Sequence, residues 1–214
     1  IAEIAKSIRW SPGYRVVHCS GAKALDVLEP AREQGAFIGS FHPLQTFGSV
    51  EQALENISGS AFALEARPPL LEELQQFADA LEGTSLVLPE GSRPLYHASA
   101  MMVCGFIVTL AGQAAGLWKS FGFDQSEALQ ALLPLIEGTV KSLGANGIPD
   151  AFTGPLVRGD VGTIQSHLEA LKQQAPHLVG LYSQLSLETL EMASAKSTLD
   201  PESKGLLESL LSGS

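Results

Sequence analysis

The chain has 214 residues, 45% of them hydrophobic and 17% charged, with a formal net charge of −10. That size and balance describe a folded protein of one large or two small domains and exclude a disordered one. The acidic balance, with no Lys/Arg cluster to offset it, argues against a nucleic-acid partner, and two cysteines without metal-ligand spacing argue against a disulfide framework or a zinc site.

The chain opens on Ile1, and IAEIAKSI reads as the tail of an amphipathic helix already under way. Tyr14 to His18 is a β-branched, aromatic run suited to a buried strand. Ser20-Gly21-Ala22 closes it, with glycine supplying the freedom a strand-to-helix turn needs. Leu25, Val27 and Leu28 give a short helix its apolar side, and Gly35 ends it. Ala36 to Gly39 is the next buried strand. It delivers His42 into a loop, HPLQTF, beyond its carboxyl end, where open α/β sheets collect their ligands.

Further on, Glu51 to Asn56 is expected to form a short helix and Ala61 to Ala66 a strand. Pro68-Pro69 stops that strand, and Pro69 suits a first helical turn. Leu70, Leu71, Leu74, Phe77, Ala78 and Leu81 follow at helical spacing, and Thr84 to Leu88 is another β-branched run closed by Pro89 and Gly91. Strands alternating with helices at this period predict parallel pairing through right-handed crossovers.

From Leu95 onward strand signals vanish. His97 to Trp118 holds no Asp, Glu, Lys or Arg and approaches the length a bilayer requires. Its Ala, Gly, Ser and Thr content, Gln113 and the Gly112-x-x-x-Gly116 spacing favour a central helix buried on all sides, partly in a dimer interface. Asp124 with Glu127 forms a capping box opening a helix through Ala128, Leu132, Ile136 and Val140. Pro134 inside that pattern predicts a kink or break. Gly144 to Pro155 is loop-rich, Asp160 caps a further helix, Pro176 starts another, and Asp200-Pro201 opens the last.

This order of elements resembles the C-terminal part of Rossmann-like reductases that carry a 6-phosphogluconate-dehydrogenase-type helical domain, a plan shared by pyrroline-5-carboxylate reductases, NADP-linked coenzyme F420 reductases and prephenate dehydrogenases. The motifs HCSGA (His18 to Ala22), GSFHPLQTF (Gly39 to Phe47), FALEA (Phe62 to Ala66), YHASA (Tyr96 to Ala100) and TGPLVRGD (Thr153 to Asp160) are similar to those of the DUF2520 group of Rossmann-like oxidoreductases. The resemblance implies an α/β plus all-α protein. Residues 1–94 would be the C-terminal part of an NAD(P)-binding domain with a parallel sheet, and residues 95–214 an all-helical dimerisation and substrate domain. It also implies a gap. No strand here is followed by the G-x-G-x-x-G turn that binds a dinucleotide pyrophosphate, so Ile1 would correspond to a point partway through such a domain.

The implied activity is hydride transfer between NADP or NAD and a small molecule at the domain junction, in a cytoplasmic homodimer. The alternative is a non-catalytic dimeric binding protein of the same fold. In prephenate dehydrogenases a serine after the equivalent strand and the histidine of an H-P motif contact the reacting hydroxyl. By that likeness His42 would be the acid/base or orienting group, with Ser20 a hydrogen-bond donor beside it. Histidine titrates near the working pH of such a step. The plainer roles are a histidine that satisfies loop carbonyls and a serine that caps a turn.

His97, where related hydroxyacid dehydrogenases place a proton-transfer residue, is the second candidate, against a role in capping or lining the junction. Gly105 stands where the family usually shows Asn. Cys19, Ser20, Gly21, Ala22 and Pro43 would line the cofactor; Gln45, Thr46 and Arg158 would meet substrate. Arg158 can grip a carboxylate or phosphate with its planar fork, or make a structural ion pair beside Asp160. His18 reads as a satisfied core histidine, Cys19 and Cys104 as buried small residues, and His167 and His177 as solvated.

Overall fold

The computed structural model describes residues 1–194 and 199–213. The chain divides into two units, Ile1–Val108 and Thr109–Ser214.

In the first unit helix α1 (Ala2–Ser7) precedes strand β1 (Arg15–His18). A single 3-10 turn over Leu25–Leu28 and helix α2 (Glu29–Arg32) connect it to strand β2 (Phe37–Leu44). Helix α3 (Val50–Asn56), strand β3 (Ala61–Ala66), helix α4 (Leu70–Ala80) and strand β4 (Thr84–Val87) follow. The strands lie in the order β1-β2-β3-β4. β1 and β2 pair in parallel, as do β3 and β4, but β2 and β3 pair antiparallel, with His42 opposite Ala63. The sheet is therefore mixed rather than all-parallel. The segment between β2 and β3 carries only the seven-residue α3, and β3 returns alongside β2 instead of crossing over.

The same pairing lengthens β2. The expected strand ended at Gly39, yet the ladder continues to Leu44 opposite Ala61. His42 and Pro43 thus belong to the end of a strand, not to a loop. Proline is tolerated there because β2 ends at the next residue.

One face of the sheet is covered by α4. Leu70, Leu74 and Ala78, at helical spacing, are 1%, 2% and 0% exposed and pack with Phe62 and Leu64 of β3. Phe41 and Phe62 stack across the antiparallel ladder with ring centroids 4.7 Å apart. Gly39 is required beneath this helix: a β-carbon there would stand 3.0 Å from the Leu70 side chain and 3.2 Å from that of Leu74.

The apolar run forms two helices, α5 (Arg93–Val103), which begins before the predicted His97, and α6 (Gly105–Leu117), separated at Cys104. The run Arg93–Phe121 is long and apolar enough by length and composition to cross a membrane, a property core helices share. It is not buried on all sides within the chain. Met102, Val103 and Val108 are 62%, 69% and 71% exposed, because hydrophobic content without a polar stripe does not say which neighbour covers it.

The regular elements of the second unit, among its described residues, are all helices, chiefly α7 (Gln125–Asn146), α8 (Val161–Gln174), α9 (Val179–Ser194) and α10 (Pro201–Ser212), with turns over 147–160. Asp124 and Glu127 form the expected capping box, and Asp160 and Asp200 cap α8 and α10. The 22-residue α7 continues past Pro134, so of the expected kink or break the break does not occur. Ile164, Leu168, Leu190, Leu207 and Leu211 form this unit's core. In the first unit, Leu74→Ala removes a side chain pinned between α4 and the sheet and is expected to lower unfolding free energy by about 2–5 kcal/mol in urea titrations.

Candidate functional site

The site is assembled by a charge that should not be in a core. Glu65 sits in the otherwise apolar β3 and is 9% exposed; Arg93, the first residue of α5, is 1% exposed. Their side chains pair, Arg93 Nε donating to Glu65 Oε2 at 2.7 Å. The remaining guanidinium nitrogens donate to Ser40 Oγ on β2 and to the carbonyls of Ser20 (3.0 Å) and Gly21 (3.5 Å) in the turn after β1. A buried charge of this kind needs a partner and satisfied donors. Satisfying them joins β3, β2, the β1 turn and the start of α5 at one point.

The next turn of α5 then meets the end of β2. Tyr96 places its hydroxyl 2.7 Å from His42 Nδ1, ring edge to ring face. His97 lies with its ring centroid 6.5 Å from that of His42. Gly21 packs against both imidazoles: a β-carbon there would stand 2.7 Å from His42 Nε2 and 2.8 Å from His97 Cδ2. Glycine is needed at this turn for close approach.

Burial first, then the Arg93 charge and His97, lower the His42 pKa from the ordinary imidazole value. Burial raises that of Tyr96, with Arg93 opposing. Both groups are therefore neutral at neutral pH. A neutral imidazole hydrogen-bonded to a phenol can accept a proton on one nitrogen while releasing one from the other.

The structure brings Ser20, Gly21, His42 and His97 together. Ser20 Oγ accepts from the Lys23 backbone N–H at 3.3 Å, and Ser20 N–H donates to His18 Nδ1 at 3.2 Å, so the hydroxyl holds its own turn. Pro43, half-buried, follows His42 on β2, while Cys19 and Ala22 flank the turn and are exposed. Although Cys19 is exposed as a residue, burial pushes its thiol pKa up. Cys104 is exposed too and meets Thr46 Oγ1 at 3.2 Å. Neither cysteine is the buried small residue expected.

The Gln45 carboxamide is occupied, donating to the Asn56 carbonyl and Ser60 Oγ and accepting from Thr46 N–H. Arg158 is exposed in the second unit, on the turn before α8, with no ion pair among the described residues. His18 is buried with Nδ1 occupied and Nε2 without a hydrogen bond, so it is only half satisfied. His167, expected to be solvated, bonds Tyr182 at 2.8 Å.

Arg93, Glu65 and Tyr96 were not anticipated. The available signal was Glu65 itself: a carboxylate inside a strand expected to be buried demands a buried cation.

An α/β unit followed by a helical half is a plan this chain shares with Rossmann-like reductases. The chain belongs to the DUF2520 family, a domain of unknown function whose profile matches residues 60–189. It is similar in structure to protein TM1727 from Thermotoga maritima, with 25% identity and a TM-score of 0.73 over 85% of this chain and 69% of that one. The "putative NADP oxidoreductase BF3122" from Bacteroides fragilis matches at 25% identity and a TM-score of 0.66 over 83% of this chain and 65% of that one.

The pyrroline carboxylate reductase of Plasmodium falciparum, solved with NADP bound, shares the fold at 13% identity and a TM-score of 0.51, over 89% of this chain and 70% of that one. The chain thus spans about two thirds of the length of these proteins. No curated protein matches it.

Arg93→Met, which strands Glu65 as a buried charge, is expected to cost about 3–5 kcal/mol, whereas Glu65→Met/Arg93→Met recovers most of that loss; denaturant titration of the three proteins checks this. The lowered pKa values of His18 and His42 also set a pH dependence. The unfolded chain takes up protons at these imidazoles near 6.5, while the folded chain resists them. Stability is therefore full above that pH and falls as pH drops through it. Urea midpoints measured across this window should decline toward acid, with a shallower decline in His42→Gln.

Proposed function

We propose that the chain forms the nicotinamide-side portion of an NAD(P)-dependent oxidoreductase acting on a small molecule. The observation that carries this reading is the His42–Tyr96 pair, held at 2.7 Å at the end of β2 with Gly21 against the imidazole. The likeness to the Bacteroides fragilis protein supports it.

NADPH, when bound, supplies a hydride to a carbonyl or imine carbon. The residues present fit the nicotinamide end of such a cofactor. Gly21 forms a turn with no side chain, its own carbonyl and that of Ser20 are drawn toward Arg93, and Cys19 and Ala22 lie exposed on either side of Ser20 and Gly21. Pro43 follows the histidine on β2. A pyrophosphate-binding glycine turn after a strand does not occur among the described residues, so only the nicotinamide end is assigned here. His42 holds or delivers the substrate proton, Tyr96 sets its tautomer, and His97 borders the site. Gln45, Thr46 and Arg158 remain the candidates to meet substrate, with Gln45 and Thr46 also bonded within the first unit.

The exposed apolar residues Met101, Met102, Val103, Phe106 and Val108 we assign to a homodimer interface, with Gly112 and Gly116 leaving room for close backbone approach. A cytoplasmic location belongs to the same reading, with Cys19 and Cys104 as free thiols.

NADPH titration of the complete gene product should show saturable binding. With a substrate in hand, His42→Gln should lower kcat by about 10²–10⁴-fold and leave NADPH affinity unchanged. Dimerisation without any NADPH binding would instead support a non-catalytic binding protein. Sedimentation should give a dimer, and Val103→Glu should give a monomer.

A further inference from the structure

A cavity of about 580 Å³ opens in the first unit between the Leu25–Leu28 turn with α2 on one side and the loop after β4 on the other. Ile38 lines it and stands about 13 Å along β2 from His42. Its volume suits a small molecule. Leu25, Ile38, Pro68 and Leu88 give it apolar walls.

Glu65 reaches this cavity with the half of its carboxylate that Arg93 does not use. Arg93 Nε donates to Oε2, and Oε1 has no hydrogen-bond partner among the described residues. The buried side-chain atoms left without a partner there are His18 Nε2, Ser85 Oγ and Ser183 Oγ. Oε1 is not one of them, so it is open to solvent, and the cavity that Glu65 lines supplies the opening. A carboxylate oxygen on a residue only 9% exposed is costly to leave unbonded. Around it, Arg32 is paired with Glu29 at 2.8 Å, whereas Asp26, Glu90 and Arg67 line the cavity without an ion pair among the described residues. With Glu65 balanced by Arg93, the carboxylates of Asp26 and Glu90 against the single guanidinium of Arg67 leave the lining one negative charge in excess. No group of three or more His, Cys, Asp or Glu side chains among the described residues could hold a metal ion. The acidic groups are spread over the walls, an arrangement for a cation with a body.

We propose that this cavity binds a small organic amine as its ammonium ion, at a site separate from the His42–Tyr96 pair and independent of the oxidoreductase reading. The ammonium donates to Glu65 Oε1, a charge-assisted bond. Asp26 and Glu90 offset the repulsion from Arg93 behind that carboxylate. The hydrocarbon body lies against Leu25, Ile38 and Leu88. A carboxylate ligand would find only Arg67 unpaired and would face Asp26 and Glu90. A neutral alcohol makes the same bond to Oε1 but gains nothing from the charges at the rim.

The complete gene product, labelled with ¹⁵N, is titrated separately with 3-methylbutylammonium, 3-methylbutan-1-ol and 4-methylpentanoate, which share one hydrocarbon body and differ in the head group. The ammonium probe is expected to saturate shifts of the Ile38, Ala66 and Gly91 amides at a concentration at least about tenfold below that of the alcohol, with the carboxylate inert. Asp26→Asn/Glu90→Gln, which changes only exposed rim positions, should weaken the ammonium probe by about tenfold. Glu65→Gln should weaken it as well, with circular dichroism verifying its fold; if that variant does not fold, the rim variant decides. Saturation by the alcohol or the carboxylate at an equal or lower concentration, no saturable response to the ammonium probe, or an unchanged affinity in the rim variant would overturn the proposal. Shifts confined to Cys19, Gly21 and His42 would overturn it too, by placing the amine in the other site.

Discussion

The buried pair of Arg93 and Glu65 is the constraint on which the first unit depends. Burying two charges costs several kcal/mol each unless geometry and hydrogen bonds compensate, so a sequence keeps such a pair only where its neighbours satisfy it. Here four pieces of backbone do so: β3 supplies the carboxylate, β2 the Ser40 hydroxyl, the turn after β1 two carbonyls, and α5 the guanidinium. Because Arg93 begins α5, fixing it also fixes the following turn of helix. Tyr96 and His97, three and four residues on, project from the face adjoining Arg93. The His42–Tyr96 contact is thus a consequence of the ion pair at one remove.

The local elements of this arrangement were legible in the sequence. β-branched runs and alternating composition mark β1, β3 and β4 closely, and the spacing of Leu70, Leu74 and Ala78 marks the face of α4 that closes the core. Capping by Asp124, Asp160 and Asp200 could be read because an N-cap is a local bond between a side chain and a backbone only a few residues away. What escaped was pairing over distance. The extension of β2 through His42 and Pro43 exists only because β3 turns back antiparallel, and no residue within β2 announces that. That α7 would continue past Pro134 instead of breaking was left open for the converse reason: a proline's local cost does not decide a helix of 22 residues.

The candidate site was half legible. Ser20, Gly21, His42 and His97 came from motifs and do converge, but the side chain that bonds His42 is Tyr96, next to His97 in the chain. Adjacent helical residues point about 100° apart, so sequence proximity alone could not say which of the two reaches the strand. The apolar residues of α5 and α6 show the same limit at a larger scale, because hydrophobicity records that a surface seeks cover and not what provides it.

A chemical-shift map of the complete gene product, recorded with and without NADPH, tests the central claim most directly. The account predicts that the backbone amides of Cys19 and Gly21 and the side chain of His42 shift together as NADPH saturates, while amides of the α8–α10 core (Ile164, Leu168, Leu207) remain unchanged. Saturation by NADPH with Cys19, Gly21 and His42 unmoved would contradict it.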